Sequence, residues 1–176
     1  MRPKKYRSKD ISRSLIIVRK GTKWDVSKIL TNLKRVAAEQ IYLGTEKVTP
    51  RHRKVQLDHL KDRKSLTLVA EVEVEIVGSL TLWKTGLRKM RHIRELGMLI
   101  IDGYREMGIG GALMDYALKW AKRQKNVEKV VLGVFSTNKR AIRLYKKFGF
   151  IVEGIIKRQH ILKGKYADEI RMAIFF

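Results

Sequence analysis

The stretch from Ile93 to Phe135 constrains the fold more than any other part of the chain. Glu95-Leu96-Gly97-Met98-Leu99-Ile100-Ile101 reads as a strand and is broken by Asp102-Gly103. From Gly108 to Lys122 the pattern turns helical, with Ile109, Ala112, Leu113, Tyr116, Ala117, Trp120 and Ala121 on one broad face. Val130-Val131-Leu132-Gly133-Val134-Phe135 is then an uninterrupted apolar run, the pattern of a strand inside a covered sheet. A strand, an amphipathic helix and a second buried strand in this order make a crossover, so the chain is mixed α/β.

The rest of the sequence adds antiparallel pieces on both sides. Leu15-Ile16-Ile17-Val18 is a short strand ended by Gly21. Asp25 or Ser27 can cap a helix whose apolar positions are Val26, Ile29, Leu30, Leu33, Val36 and Ala37. Thr49 to Lys64 carries only the weak stripe of Val55, Leu57 and Leu60 and reads as a short helix. Leu66–Val72 and Glu75–Trp83 read as a hairpin. Asn138 opens a further helix, with Ala141, Ile142, Leu144, Tyr145 and Phe148 inward and Gly149 as its stop. Two last strands, about 150–161 and 166–175, meet across Lys163-Gly164-Lys165. The expected organisation is a flexible basic segment, residues 1–10, and a single domain over 11–176. That domain has a central mixed sheet with helices on both faces.

Composition excludes several chemistries. With no cysteine, thiolate catalysis, disulfides and Cys-type zinc sites are ruled out. His52, His59, His92 and His160 show no metal spacing and read as surface residues, so no metal is expected. No stretch reaches the roughly 18 apolar residues of a membrane span. Met1-Arg2-Pro3-Lys4-Lys5-Tyr6-Arg7 has no apolar run behind it, unlike a signal peptide. The expectation is a soluble cytoplasmic protein. Forty Lys+Arg against seventeen Asp+Glu give a net charge of +23, which steers anionic partners by long-range field. The basic run Lys84, Arg88, Lys89, Arg91, His92 and Arg94 reads as a solvated hairpin able to attract an acidic surface.

Arg105-Glu106-Met107-Gly108-Ile109-Gly110-Gly111 follows a strand and opens a helix. Gly108 and Gly110 let backbone N–H groups close around a ligand, and the helix start supplies unpaired donors and partial positive charge. Together these suit a pyrophosphate, with Arg105 as an added cation. The same glycines can also serve only a tight turn. Two familiar phosphate loops do not fit. Gly110 is followed by Gly111 and Ala112 rather than Lys-Ser/Thr, and Leu113 stands where a dinucleotide fingerprint needs its third glycine.

Downstream lies Asn138-Lys139-Arg140-Ala141-Ile142-Arg143-Leu144-Tyr145-Lys146-Lys147-Phe148-Gly149-Phe150. Arg-x-x-Gly-x-Gly after a strand, followed by Asn-x-x-Ala-x-x-Leu-Tyr-x-x-x-Gly-Phe, resembles the GNAT superfamily of acyl-CoA-dependent N-acetyltransferases. The resemblance extends back to about residue 66 and forward through Glu153-Gly154 and Lys163–Glu169 to Met172. The first 65 residues match by element order alone.

The resemblance implies an acetyl-CoA site. Arg105, Glu106, Met107, Gly108, Ile109, Gly110 and Gly111 match the loop whose amides bind the CoA pyrophosphate. Met98, Leu99 and Ile100 match a splayed strand that holds the pantetheine and turns an amide toward the thioester carbonyl. Asn138 matches a pantetheine contact, and it is equally an N-cap for its own helix. Tyr145 matches a tyrosine near the CoA sulfur and is the candidate proton donor; it also sits on the buried stripe of its helix. Glu95 is the candidate base. Family members that carry the base on the next strand place it at Gly133, which cannot serve. Glu73, Glu75 or a water chain stand as alternatives, and Glu95 otherwise answers Arg94 or Arg91.

The expected activity is acetyl transfer from acetyl-CoA to a primary amine by direct attack on the thioester. The acceptor is an amine of a protein, N-terminal or lysine, with a polyamine-type small amine second because the +23 charge repels a free polycation. The rival is a non-catalytic module that binds CoA or nucleic acid through its basic surface. Weak nonspecific nucleic-acid binding and a homodimer stand as open expectations beside the enzyme.

Overall fold

The computed structural model describes residues 3–7, 15–42, 44 and 47–176. The strands are β1 (Lys4–Arg7), β2 (Leu15–Lys20), β3 (Leu66–Val72), β4 (Glu75–Lys84), β5 (Ile93–Ile100), β6 (Lys129–Phe135), β7 (Ile151–Leu162) and β8 (Lys165–Phe175). The helices are α1 (Val26–Ala38), α2 (Pro50–Lys61), α3 (Ile109–Lys122) and α4 (Lys139–Lys147). Among the described residues, eight strands join one sheet in the order β1-β2-β3-β4-β5-β6-β8-β7. Every neighbouring pair is antiparallel except β5 and β6, which the α3 crossover makes parallel. The basic N-terminal segment contributes to this sheet, since Lys4–Arg7 pair with Leu15–Val18.

The two faces of the sheet follow the alternation of its strands. Leu66, Leu68 and Ala70 of β3 share a core with Leu80 and Leu82 of β4 and with Leu113, Ala117 and Tyr116 of α3. Val69, one residue out of phase, packs with Ile29 of α1 and Ile76. Helices therefore cover both faces. Entry into α1 is fixed by Arg19, whose guanidinium donates to Asp25 at 2.8 Å and to Glu71 of β3 at 2.5 Å. The weakly striped segment does form α2, for local reasons. Thr49 and His52 make a capping box and Pro50 sits where a missing N–H costs nothing. None of its residues is buried.

The basic run is not uniformly solvated. Arg94 is 3% exposed, and its guanidinium donates to the carbonyls of Lys64, Arg91 and Ile93 at 2.8–2.9 Å. It ties the end of the α2 segment to the start of β5. Its neighbour Glu95 points to the other face, so the two do not pair.

The feature that makes a site is an incomplete seam. β5 and β6 register only at Ile93/Lys129, Arg94/Val130 and Glu95/Val131. Beyond Glu95 the strands diverge, and Leu96–Ile100 have no strand partner on that side. β6 is consequently not covered along its length, and Gly133 is exposed in its middle.

Candidate active site

The diverging strands open a cavity of about 670 Å³. On one side it is lined by Arg105, Glu106, Gly108, Gly110 and Gly111 at the start of α3, and by Asn138 and Tyr145 of α4. On the other side are Trp83 of β4, Glu95 and Gly97 of β5, Gly133 and Phe135 of β6, and His160, Glu169 and Arg171 of the β7–β8 arm. Met98, Leu99 and Ile100 run along the seam between them. The sequence-predicted residues are thus brought to one cavity, apart from Met107 and Ile109. Ile109 is 1% exposed in the core and Met107 packs against it, so these two side chains face inward.

The loop before α3 turns through three residues of positive φ, Gly103 at 83°, Glu106 at 68° and Gly108 at 91°. The first helical hydrogen bond runs from Ala112 N–H to Gly108 O, at 3.0 Å. The amides of Ile109, Gly110 and Gly111 precede it and form the open donor set of a helix start. A Cβ at Gly111 would meet nothing within 4 Å, whereas one at Gly110 would lie 2.9 Å from Leu144 Cδ2. Gly110 therefore lets α4 pack close to α3, and Gly111 has open space on its side-chain face. Such a cradle fits an anionic phosphate group.

Arg105 is not a free cation. Its Nη1 donates to Glu39 Oε2 at 2.7 Å, its Nη2 also donates to Glu39, and its Nε donates to Ile100 O at 3.0 Å. It lies 4.5 Å from the ring of Tyr42. It holds the loop to the end of α1 and to β5. Arg140 lines the same cavity, 5.7 Å from that ring, and makes no ion pair among the described residues.

Asn138 caps α4, its side-chain oxygen accepting from Ala141 N–H at 3.1 Å. Asn138→Ala is expected to lower stability by about 1 kcal/mol, a fall of roughly 2–4 °C in Tm. Thermal melting without ligand checks this; an unchanged Tm removes the cap. Tyr145 is 6% exposed, with its ring 5.8 Å from Phe150, and it reaches the cavity wall. Burial pushes its phenol up to about 12, so it keeps its proton at neutral pH.

Glu95 lines the cavity and makes no ion pair with Arg91 or Arg94. Glu73 and Glu75 do not line it. Glu73 and Val74 form the β3–β4 turn, and Glu75 accepts from Lys28 at 2.9 Å and from Tyr104 at 3.4 Å. Two histidines depart from the surface reading. His59 stacks on Trp83 at 5.4 Å, and burial lowers its pKa. His160 enters the cavity wall and meets Glu169 Oε2 at 2.7 Å. Sequence patterns did not point to His160, Arg171 or Trp83, because only strand register brings them to the seam. Among the described residues, no group of three or more His, Asp or Glu is placed to hold a metal. No helix among them is long and apolar enough to cross a membrane.

Comparison with known proteins agrees with this geometry. The sequence model of the Acetyltransferase (GNAT) family matches residues 29–150. The L-amino acid N-acetyltransferase AaaT of Escherichia coli is 29% identical over 138 residues, covering 78% of this chain and 85% of that protein. An N-alpha-acetyltransferase of Sulfurisphaera tokodaii is 33% identical over 120 residues, covering 64% and 68%. The structure of yncA, described as a putative acetyltransferase from Salmonella typhimurium with its cofactor acetyl-CoA, superposes with a TM-score of 0.78 at 18% identity, covering 91% and 93%. With a crossover split at its seam, an open helix start beside it and this family match, the chain belongs to the GNAT family of acetyltransferases and is an N-acetyltransferase.

Proposed function

We propose that the chain transfers the acetyl group of acetyl-CoA to a primary amine of a protein, an N-terminal α-amine or a lysine, by direct attack on the thioester. The observation that carries this reading is the seam, which has unpaired helix-start amides on one side and carboxylates on the other. The amides of Ile109, Gly110 and Gly111 suit the pyrophosphate. Asn138 suits the pantetheine arm. The strand edge at Met98–Ile100 has backbone N–H groups without a strand partner, able to stabilise a carbonyl oxygen as it gains charge. When bound, the cosubstrate supplies the activated acetyl group, so no protein nucleophile is needed.

On the acceptor side, Glu95 and Glu169 offset the local effect of a +23 chain and favour an ammonium. The β7–β8 arm beside them exposes Ile151, Ile155, Ile161 and Tyr166 at 52–67%. Exposed apolar surface next to a site suits a polypeptide acceptor better than a free amino acid. The test is transfer of labelled acetyl from acetyl-CoA to four classes of acceptor: peptides with a free N-terminus, N-blocked lysine peptides, amino acids and polyamines. Labelling of peptides is expected. Transfer confined to amino acids or polyamines overturns the protein acceptor, and no transfer with any amine overturns the activity.

A further inference from the structure

β6 lacks a side chain at Gly133, at the point where the seam has just opened. That space is not empty. A Cβ at Gly133 would sit 2.5 Å from Glu169 Oε1 and 3.0 Å from its Cδ. Register explains the coincidence. On β8, Arg171 pairs with Gly133 and Glu169 with Phe135, and the alternation of side chains puts all four on one face. The Glu169 carboxylate therefore lies over Gly133, delivered from the neighbouring strand, and Glu169 is 9% exposed. Its two oxygens have different partners. Oε1 forms an ion pair with Arg171, 2.6 Å from its Nε, and Oε2 is 2.7 Å from His160 Nε2. The imidazole is braced on its other side by Phe135, with ring centroids 4.6 Å apart.

We propose that His160 takes the proton shed by the acceptor ammonium, and that Glu169, seated in the space left by Gly133, is the residue that positions it. This rests on the acetyl-transfer reading above. Both oxygens of Glu169 are engaged, one by Arg171 and one by His160, so neither is free to take a proton from an acceptor amine. The imidazole is the better base. With Nε2–H donated to Glu169, its Nδ1 lone pair is the proton acceptor. The acceptor N–H bond breaks and Nδ1 gains the proton, leaving an imidazolium beside the Glu169 carboxylate that passes the proton to solvent. The freed nitrogen lone pair forms the C–N bond as the C–S bond breaks. Tyr145 gives its proton to the departing sulfur and regains one from the acylated nitrogen. The balance is one amide, one thiol and one proton released.

Among the described residues, the charged groups that share the cavity with His160 are Glu169 and Arg171 on β8, Glu95 across the seam on β5, Arg105 and Glu106 before α3, and Arg140 and Lys147 of α4. A base acts only when deprotonated, so activity should rise with pH and then level off.

The experiment measures kcat and KM against pH for a peptide with a free α-amine, in wild type and three variants. CoA-induced thermal stabilisation serves as the measure of fold and cofactor binding. His160→Gln is expected to lower kcat by about 10²-fold or more and to replace the plateau with a continuing rise, since solvent must now take the proton. Glu169→Gln should lower kcat more than it changes KM, because the imidazole has lost the carboxylate that orients it. Gly133→Ala changes no charge, yet its methyl forces the Glu169 carboxylate away and should reproduce the kcat loss. Stabilisation by CoA should persist in all three. If His160→Gln keeps the wild-type acid limb and a kcat within threefold, the proposal fails and the acetyl-transfer reading stands. If wild type itself shows neither CoA stabilisation nor transfer, both fail together.

Discussion

Tyr145→Phe is expected to lower kcat by about 10²–10⁴-fold with little change in the affinity for CoA. The variant removes one hydroxyl from a ring that otherwise keeps its packing against Phe150, so stability should hold. A phenol raised to about 12 by burial is not a base at working pH and stores no charge in the resting site. It gives up its proton only as negative charge collects on the departing sulfur, and it regains one from a nitrogen that has a proton to lose. The sign of the pH dependence follows. The active form of Tyr145 is the protonated one, present at every pH below about 12, so Tyr145 should contribute no falling limb between pH 6 and about 10. Rapid-quench or steady-state kinetics over that range check both statements. A kcat within threefold of wild type makes Tyr145 a packing residue and assigns the proton to solvent.

The parts of this site that the sequence displays are those written along a single element. The turn into α3 needs glycines at fixed offsets, and α4 needs its cap and its apolar stripe, so Gly108–Gly111 and Asn138–Tyr145 can be read from spacing. Residues whose placement depends on two strands are not legible in the same way. Val130–Phe135 reads as one apolar strand in a covered sheet, yet its pairing with β5 stops at Val131 and leaves Gly133 without a β5 partner. Nothing local marks where a parallel pair diverges. Arg94 and Glu95 look like an ion pair in sequence. In the sheet they fall on opposite faces, and Arg94 finds three carbonyls instead. His160 has no partner at metal spacing and looks like surface. Its partner Glu169 is nine residues on, across the hairpin at Lys163-Gly164, and a bulge between Ile156 and His160 sets the register that joins them. The one available signal was Gly133 itself, a residue without a side chain in a run of large ones, which allows a neighbouring strand to place a group over it.

Gly111→Asp is expected to abolish stabilisation by CoA while leaving the ligand-free protein as stable as wild type, or more so. In wild type, CoA at a hundredfold excess over its Kd adds about 2.7 kcal/mol, roughly 5–10 °C in Tm for a domain of this size. Gly111 is the third residue of α3, with room for a side chain and nothing within 4 Å of its Cβ position. Without ligand, a carboxylate in the first turn faces the positive end of the helix and contributes about 0.3–1 kcal/mol. With ligand, the same carboxylate stands where a pyrophosphate must accept from the amides of Ile109, Gly110 and Gly111, and it both fills the space and repels the charge. The two effects have opposite signs, so loss of the shift cannot come from general damage. Gly110→Asp is a poorer choice, because its Cβ would meet Leu144 Cδ2 at 2.9 Å and disturb the packing of α4 on α3. Differential scanning fluorimetry with and without CoA reads both quantities in one experiment. A Gly111→Asp protein that CoA still stabilises by the wild-type amount places the pyrophosphate somewhere other than the start of α3.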